Sequence, residues 1–169
     1  MRVLTADELK RMLGLVPHEA EGGWFCETYR ASQTVPAGSP GSGRAGDRSL
    51  STAIYYLLTP ETFSAMHRLR SDEVFHFYLG DPVEMLQLLP SGEGRVHVMG
   101  TDLAAGMRPQ VVVPRDVWQG TRLTTHGRLA LLGTTVAPGF DPADYETGER
   151  AALIAAYPHF RERITALTR

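Results

Sequence analysis

The chain holds a single cysteine, Cys26, so no disulfide can close within it. That scarcity points to a reducing compartment, and within a strand-like stretch Cys26 reads as a small apolar packing thiol. Charge of one sign is also lacking: Lys and Arg total 17 against 19 Asp and Glu, a formal net charge of −2. There is no basic footprint for a nucleic-acid backbone. The arginines, among them Arg44, Arg48, Arg68, Arg70, Arg115 and Arg122, are scattered and expected at the surface or in local pairs. No apolar run approaches a membrane span. The opening MRVLTADELKRMLGL breaks each apolar run with charge, unlike the core of a signal peptide. Neither nucleic acid nor membrane is therefore an expected partner, and a cytoplasmic location is expected.

What is present fits one domain over residues 1–169, with 43% hydrophobic and 21% charged residues. A helix is predicted over 5–14: Thr5 and Glu8 have capping-box spacing, and Leu9, Met12, Leu13 and Val16 follow a helical period. Gly14 and Pro17 stop it. After Glu21-Gly22-Gly23 comes a strand, WFCETYR, at 24–30. Residues 33–47, QTVPAGSPGSGRAGD, have no core face to bury and are predicted to form a flexible loop.

Short strands then recur at 51–58, 63–69, 73–79, 83–89, 95–99, 111–113, 117–123 and 128–137. The punctuation between them includes Thr59-Pro60, Gly80-Asp81-Pro82 and His126-Gly127. Such spacing predicts an all-β sandwich, jelly roll or barrel, with its core at 50–137. Several strands are apolar on both faces, which calls for a double layer covered on its outside. Helical periodicity returns at 148–168, in two short helices.

The chemistry concentrates in FSAMHRLRSDEVFHFYLG, residues 63–80. His67 ends one strand and Glu73 begins the next, so the two can point the same way on neighbouring antiparallel strands. An imidazole beside a carboxylate suits metal ligation or proton transfer; a His–Glu pair that merely locks the hairpin is the structural alternative. Glu73, Phe75 and Phe77 share one strand face, which puts His76 on the other unless a bulge intervenes.

The spacing of His67, Glu73 and Gly80, with six residues between the last two, resembles the first cupin motif. Pro114-Arg-Asp116-Val-Trp-Gln119 resembles the second, with Asp116 in place of the motif glycine. Five segments in order, EGGWFCETYR, STAIYYLL, HRLRSDEVFHFYLGD, VVVPRDVWQG and VAPGFDPADYE, are similar to the cupin-5 branch, whose function is unknown. The resemblance implies a double-stranded β-helix, the cupin jelly-roll barrel, with short helices at both ends, and a homodimer.

In metal-binding cupins two histidines and a glutamate of the first motif and a histidine of the second hold the ion. Here Leu69 and Gln119 stand at two of those positions, leaving His67, Glu73 and at best Gln119. No cofactor is therefore expected, although a divalent metal on those three is the one allowed by the resemblance. The expected site is a small-molecule pocket at the barrel mouth. Its walls would be Phe63, Phe75, Phe77 and Trp118, its polar end His67, Glu73 and Gln119, with His76 as a further candidate and Arg30 positioned for an anionic group. As an enzyme it would be isomerase- or epimerase-like, with His67 the base, Glu73 orienting it, and a tyrosine (Tyr29, Tyr55 or Tyr56) the acid. The rival expectation is a metabolite-binding module without catalysis; a metal-dependent oxygenase or lyase is disfavoured by Leu69 and Gln119. His18, His97, His126 and His159 are given no function.

Overall fold

The computed structural model describes residues 4–39 and 46–169. Its first element is α1 (Ala6–Leu13), capped as the sequence predicts. The Thr5 hydroxyl accepts from Glu8 N at 3.3 Å, and Glu8 Oε2 accepts from Thr5 N at 2.9 Å. Gly14 ends the helix in the left-handed region, φ 64°.

Among the described residues thirteen strands follow in chain order: β1 (Val16–Pro17), β2 (Trp24–Arg30), β3 (Thr34–Val35), β4 (Arg48–Ser49) and β5 (Thr52–Leu58). Then come β6 (Ser64–Leu69), β7 (Asp72–Gly80), β8 (Val83–Leu88), β9 (Gly94–Met99) and β10 (Gln110–Val113). The set closes with β11 (Trp118–Leu123), β12 (Ala130–Ala137) and β13 (Tyr145–Thr147). Helices α2 (Arg150–Ala156) and α3 (Arg161–Ala166) end the chain, joined by a 3-10 turn that starts at Pro158. The loop expected over 33–47 is partly regular, because β3 pairs with β4; its stretch 40–45 lies outside the described residues. No described helix is long and apolar enough to cross a membrane.

Two antiparallel sheets face each other, ordered β1-β2-β5-β12-β7-β10 and β13-β6-β11-β8-β9. The fold is the all-β jelly roll that the resemblance implies, and among the described residues its α-helices lie only at the two ends. The strands apolar on both faces have a simple cause. On β5, Tyr56 and Leu58 point into the barrel with Phe75, Phe77, Met85 and Leu132, whereas Leu57 points outward under Leu9 of α1. On β8, Val83 and Met85 point in, and Leu86 and Leu88 point out against Leu153 and Ile164 of the C-terminal helices. The terminal helices thus cover sheet faces that would otherwise be wet, one on each sheet.

Two turn positions show that the motif registers are real. Gly80 sits at φ 104°, where an added Cβ would collide with the Leu129 carbonyl. Asp116, standing where the second motif has glycine, holds φ 64°. Aspartate is one of the few side chains that tolerate this region.

Candidate functional site

Barrel strands bring three side chains together at one end of the interior. His67 on β6 and Gln119 on β11 are direct partners across their strand pair. Glu73 comes from β7 in the opposite sheet, so it meets His67 across the barrel interior and not on a neighbouring antiparallel strand as the sequence suggests. The Gln119 amide joins them: its Nε2 lies 2.8 Å from His67 Nε2 and donates to Glu73 Oε2 at 2.8 Å. All three are buried, with relative exposures of 1%, 1% and 6% for His67, Gln119 and Glu73. His67 Nδ1 faces the Ala65 carbonyl at 2.7 Å. A carbonyl can only accept and an amide nitrogen can only donate, so Nδ1 carries the hydrogen and Nε2 accepts from Gln119.

The cavity at this end has a volume of about 180 Å³. Its apolar walls are Phe25, Ile54, Leu69, Val136, Phe140 and Pro142, and its polar lining adds His18, Glu21 and Tyr145 to His67 and Glu73. Glu21 is delivered by the loop between β1 and β2. Gly22 (φ 104°) and Gly23 (φ 69°) let that loop pass close to the Phe63 and Leu57 carbonyls, where a Cβ would clash. The loop is pinned by Tyr56, whose hydroxyl donates to Gly22 O at 2.7 Å, and by Ala65 N, which donates to Glu21 O at 2.9 Å. Ser64 Oγ donates to Glu21 Oε1. Glu21 Oε2 then lies 3.8 Å from His67 Nε2 and 3.9 Å from His18 Nε2, close but beyond hydrogen-bond range. Tyr145, on β13, stacks on the His67 ring with centroids 4.9 Å apart and an interplanar angle of 20°. Its buried hydroxyl has no hydrogen-bond partner among the described residues.

Burial, and then the negative charge of Glu21, push the Glu73 carboxyl up to about 8. Glu73 is thus protonated at neutral pH. Because Oε2 accepts from Gln119, the acidic hydrogen belongs on Oε1. Burial and the Glu21 charge likewise hold the Tyr145 phenol well above the usual tyrosine range.

Several expected site residues lie elsewhere. Phe75 and Phe77 do share the inward face with Glu73, but a strand advances about 3.3 Å per residue. They sit roughly 7 and 13 Å further down the barrel, in its packed core rather than the cavity wall. Trp118 has the opposite parity to Gln119 and lies outside the barrel, near Met66 and Leu88, with Arg68 4.5 Å over its ring. Phe63 packs in the same outer cluster. His76 faces outward, bonded to Thr135 Oγ1 and Gln110 Nε2 at 3.2 Å each, so no bulge turns it inward. Arg30 does line the cavity, but its guanidinium donates to both Glu27 oxygens, at 3.0 and 2.6 Å, and to Phe140 O. Of the three tyrosines considered as acid, Tyr29 is 55% exposed, Tyr55 packs on the outer side toward α1, and Tyr56 is committed to Gly22.

Conversely, Glu21, Tyr145 and His18 escaped the sequence reading, and His18 was there given no function. Two of the three were flagged without their role being seen: the Glu-Gly-Gly turn holds Glu21 and the segment VAPGFDPADYE holds Tyr145.

The donor set does not fit the ion that metal-binding cupins hold. Leu69 presents hydrocarbon to the cavity, and the Gln119 N–H groups occupy the His67 and Glu73 lone pairs that an ion would need. Among the described residues, no group of three or more His, Cys, Asp or Glu is arranged to hold an ion.

Comparison with known proteins agrees with the fold and with the motif segments. A structure from Shewanella oneidensis is 34% identical and superposes with a TM-score of 0.86, covering 99% of both chains. A hypothetical protein from Leishmania major is 29% identical, with a TM-score of 0.86 over 98% of this chain and 99% of that one. An uncharacterized protein of Saccharomyces cerevisiae is 30% identical over 139 residues, 78% of this chain and 69% of the yeast protein. Residues 7–148 match the family described as Cupin superfamily (DUF985), and the chain belongs to that family.

Proposed function

We propose that the chain is a metal-independent acid–base enzyme that moves a proton on a small molecule, as an isomerase or epimerase does. One arrangement carries this: Glu21 and Glu73 line a single cavity, and burial together with the Glu21 charge pushes the Glu73 carboxyl up to about 8. Glu21 bears the negative charge that, with burial, keeps the proton on Glu73. A pair of carboxyl groups driven apart by their surroundings supplies a base and an acid at one pH. Glu21 Oε2 is the base, its other oxygen steadied by Ser64. Glu73 Oε1 is the acid, with the Tyr145 hydroxyl a second donor within the same cavity.

His67 then has a different task from the one its motif position implies. With Nδ1 bound to Ala65 O and Nε2 accepting from Gln119, neither nitrogen is free to take a proton. It orients Gln119, supports the Tyr145 ring, and forms the cavity floor between the carboxylates. That same capping of His67 favours the second reading, a binding pocket in which no bond changes.

Hydrogen exchange separates the two. Pentoses, hexoses and smaller hydroxy-aldehydes and hydroxy-ketones are incubated with the protein in D2O and followed by NMR. The enzyme reading expects deuterium to enter a carbon position of at least one compound. Glu21→Gln is expected to slow that by about 100-fold or more, the usual range for losing a general base. A compound that binds and is recovered without deuterium, with none of the others exchanging, leaves the binding module.

A further inference from the structure

The cavity's polar end presents the Glu21 carboxylate beside the protonated Glu73 carboxyl. Glu21 Oε2 has the His67 and His18 imidazoles at 3.8 and 3.9 Å, beyond hydrogen-bond range, and Gln119 Oε1, behind the lining residues His67 and Glu73, is a buried acceptor with no donor among the described residues. The Tyr145 hydroxyl, also in the lining, has no hydrogen-bond partner among the described residues and can serve either way.

Positive charge, by contrast, is spent elsewhere. Arg30 is the cationic side chain of the cavity lining, at its half-exposed rim, and Glu27 neutralises it through both guanidinium edges. Arg48 is locked to Asp144, with Nε 2.8 Å from Oδ2. Arg169 donates to Glu19 O and Ala20 O behind the Glu21 loop. An anion brought to the inner end would lose its water beside a carboxylate and gain no cation.

We propose that this cavity selects a small neutral or cationic molecule rich in hydroxyl or amino donors, and that it rejects carboxylates and phosphates from its inner end. The inference rests on the acid–base site described above and names its substrate class. Glu21 and Tyr145 line the same cavity, so one polyhydroxy or amino compound can satisfy both groups. The apolar walls then take its carbon skeleton.

The test follows the ring nitrogens and carbon-bound hydrogens of His67 by NMR at neutral pH. Xylose, ethanolamine and oxalate are titrated in turn into the protein at equal concentrations. Xylose or ethanolamine is expected to give saturable shifts at His67, and oxalate none. In Glu21→Gln those shifts are expected to need at least tenfold more ligand. Wild-type protein alone decides the outcome if that variant does not fold. Saturable shifts from oxalate would overturn the proposal, and so would the failure of both xylose and ethanolamine. Xylose binding without deuterium exchange would remove the catalytic reading while leaving this selectivity in place.

Discussion

At the scale of single residues, Glu73 concentrates the physics of the site. Its carboxyl stays protonated to about 8 in the folded chain, whereas an unfolded glutamate ionises near 4.3. Between those values the native state binds one proton more than the unfolded state, so stability falls as pH rises through the window. The contribution is complete below about pH 4 and gone above about pH 8. At about 1.4 kcal/mol per pH unit for a full proton difference, the decline is on the order of a few kcal/mol. Denaturant unfolding at pH 5.5 and 8.5 checks this: wild type is expected to lose stability across the interval, and Glu73→Gln, neutral at both, to lose distinctly less. His67 and Glu73 could be found from the sequence because strand parity fixes which way each side chain points, although β6 and β7 lie in opposite sheets and form no hairpin. Parity does not fix depth. Phe75 and Phe77 face the same way as Glu73 and still miss the cavity, because its lining stops at the barrel's end.

At the scale of elements, the core strands are legible because each alternates or is covered twice, and their turns are marked by Gly, Pro and Asp. The parts that complete the site were not legible. The Glu21 loop precedes the barrel core and the Tyr145 strand follows it, and only three-dimensional closure brings either to His67. The Tyr145 strand is held by its neighbouring turn. Asp144 receives Arg48 through two hydrogen bonds, 2.8 and 3.1 Å, and both side chains are buried. Breaking such a pair strands a buried charge. Arg48→Ala is therefore expected to cost about 3 kcal/mol in equilibrium unfolding. It should also free Tyr145 from its stack on His67, seen as a shift of the His67 ring signals. An unchanged midpoint with unchanged ring signals would show that the turn holds itself.

At the scale of the whole molecule, two sheets form a barrel whose one end is a closed apolar plug and whose other end is a polar cavity. The Gln119 amide ties the sheets together at that end, where metal-binding cupins place an ion. Protein purified without a histidine tag is therefore expected to carry far less than one transition-metal ion per chain by elemental analysis. Chelator should leave its melting temperature unchanged, since a structural metal contributes folding free energy. Leu69→His combined with Gln119→His restores the missing ligands and is expected to create zinc or nickel affinity that the parent lacks. Stoichiometric metal in the parent, surviving dialysis, would mean that the amide yields its place.

Everything in the catalytic reading depends on Glu73 holding its proton up to about 8 beside Glu21. Carbon-13 NMR of the glutamate side-chain carboxyls, titrated from pH 4 to pH 10, measures this directly. In wild type the Glu73 signal is expected to titrate near pH 8, and in Glu21→Gln to move down, because the Glu21 charge is one of the two causes that raise it. A Glu73 signal that titrates in the ordinary carboxylate range, or that ignores the loss of Glu21, would contradict the paired-carboxylate site.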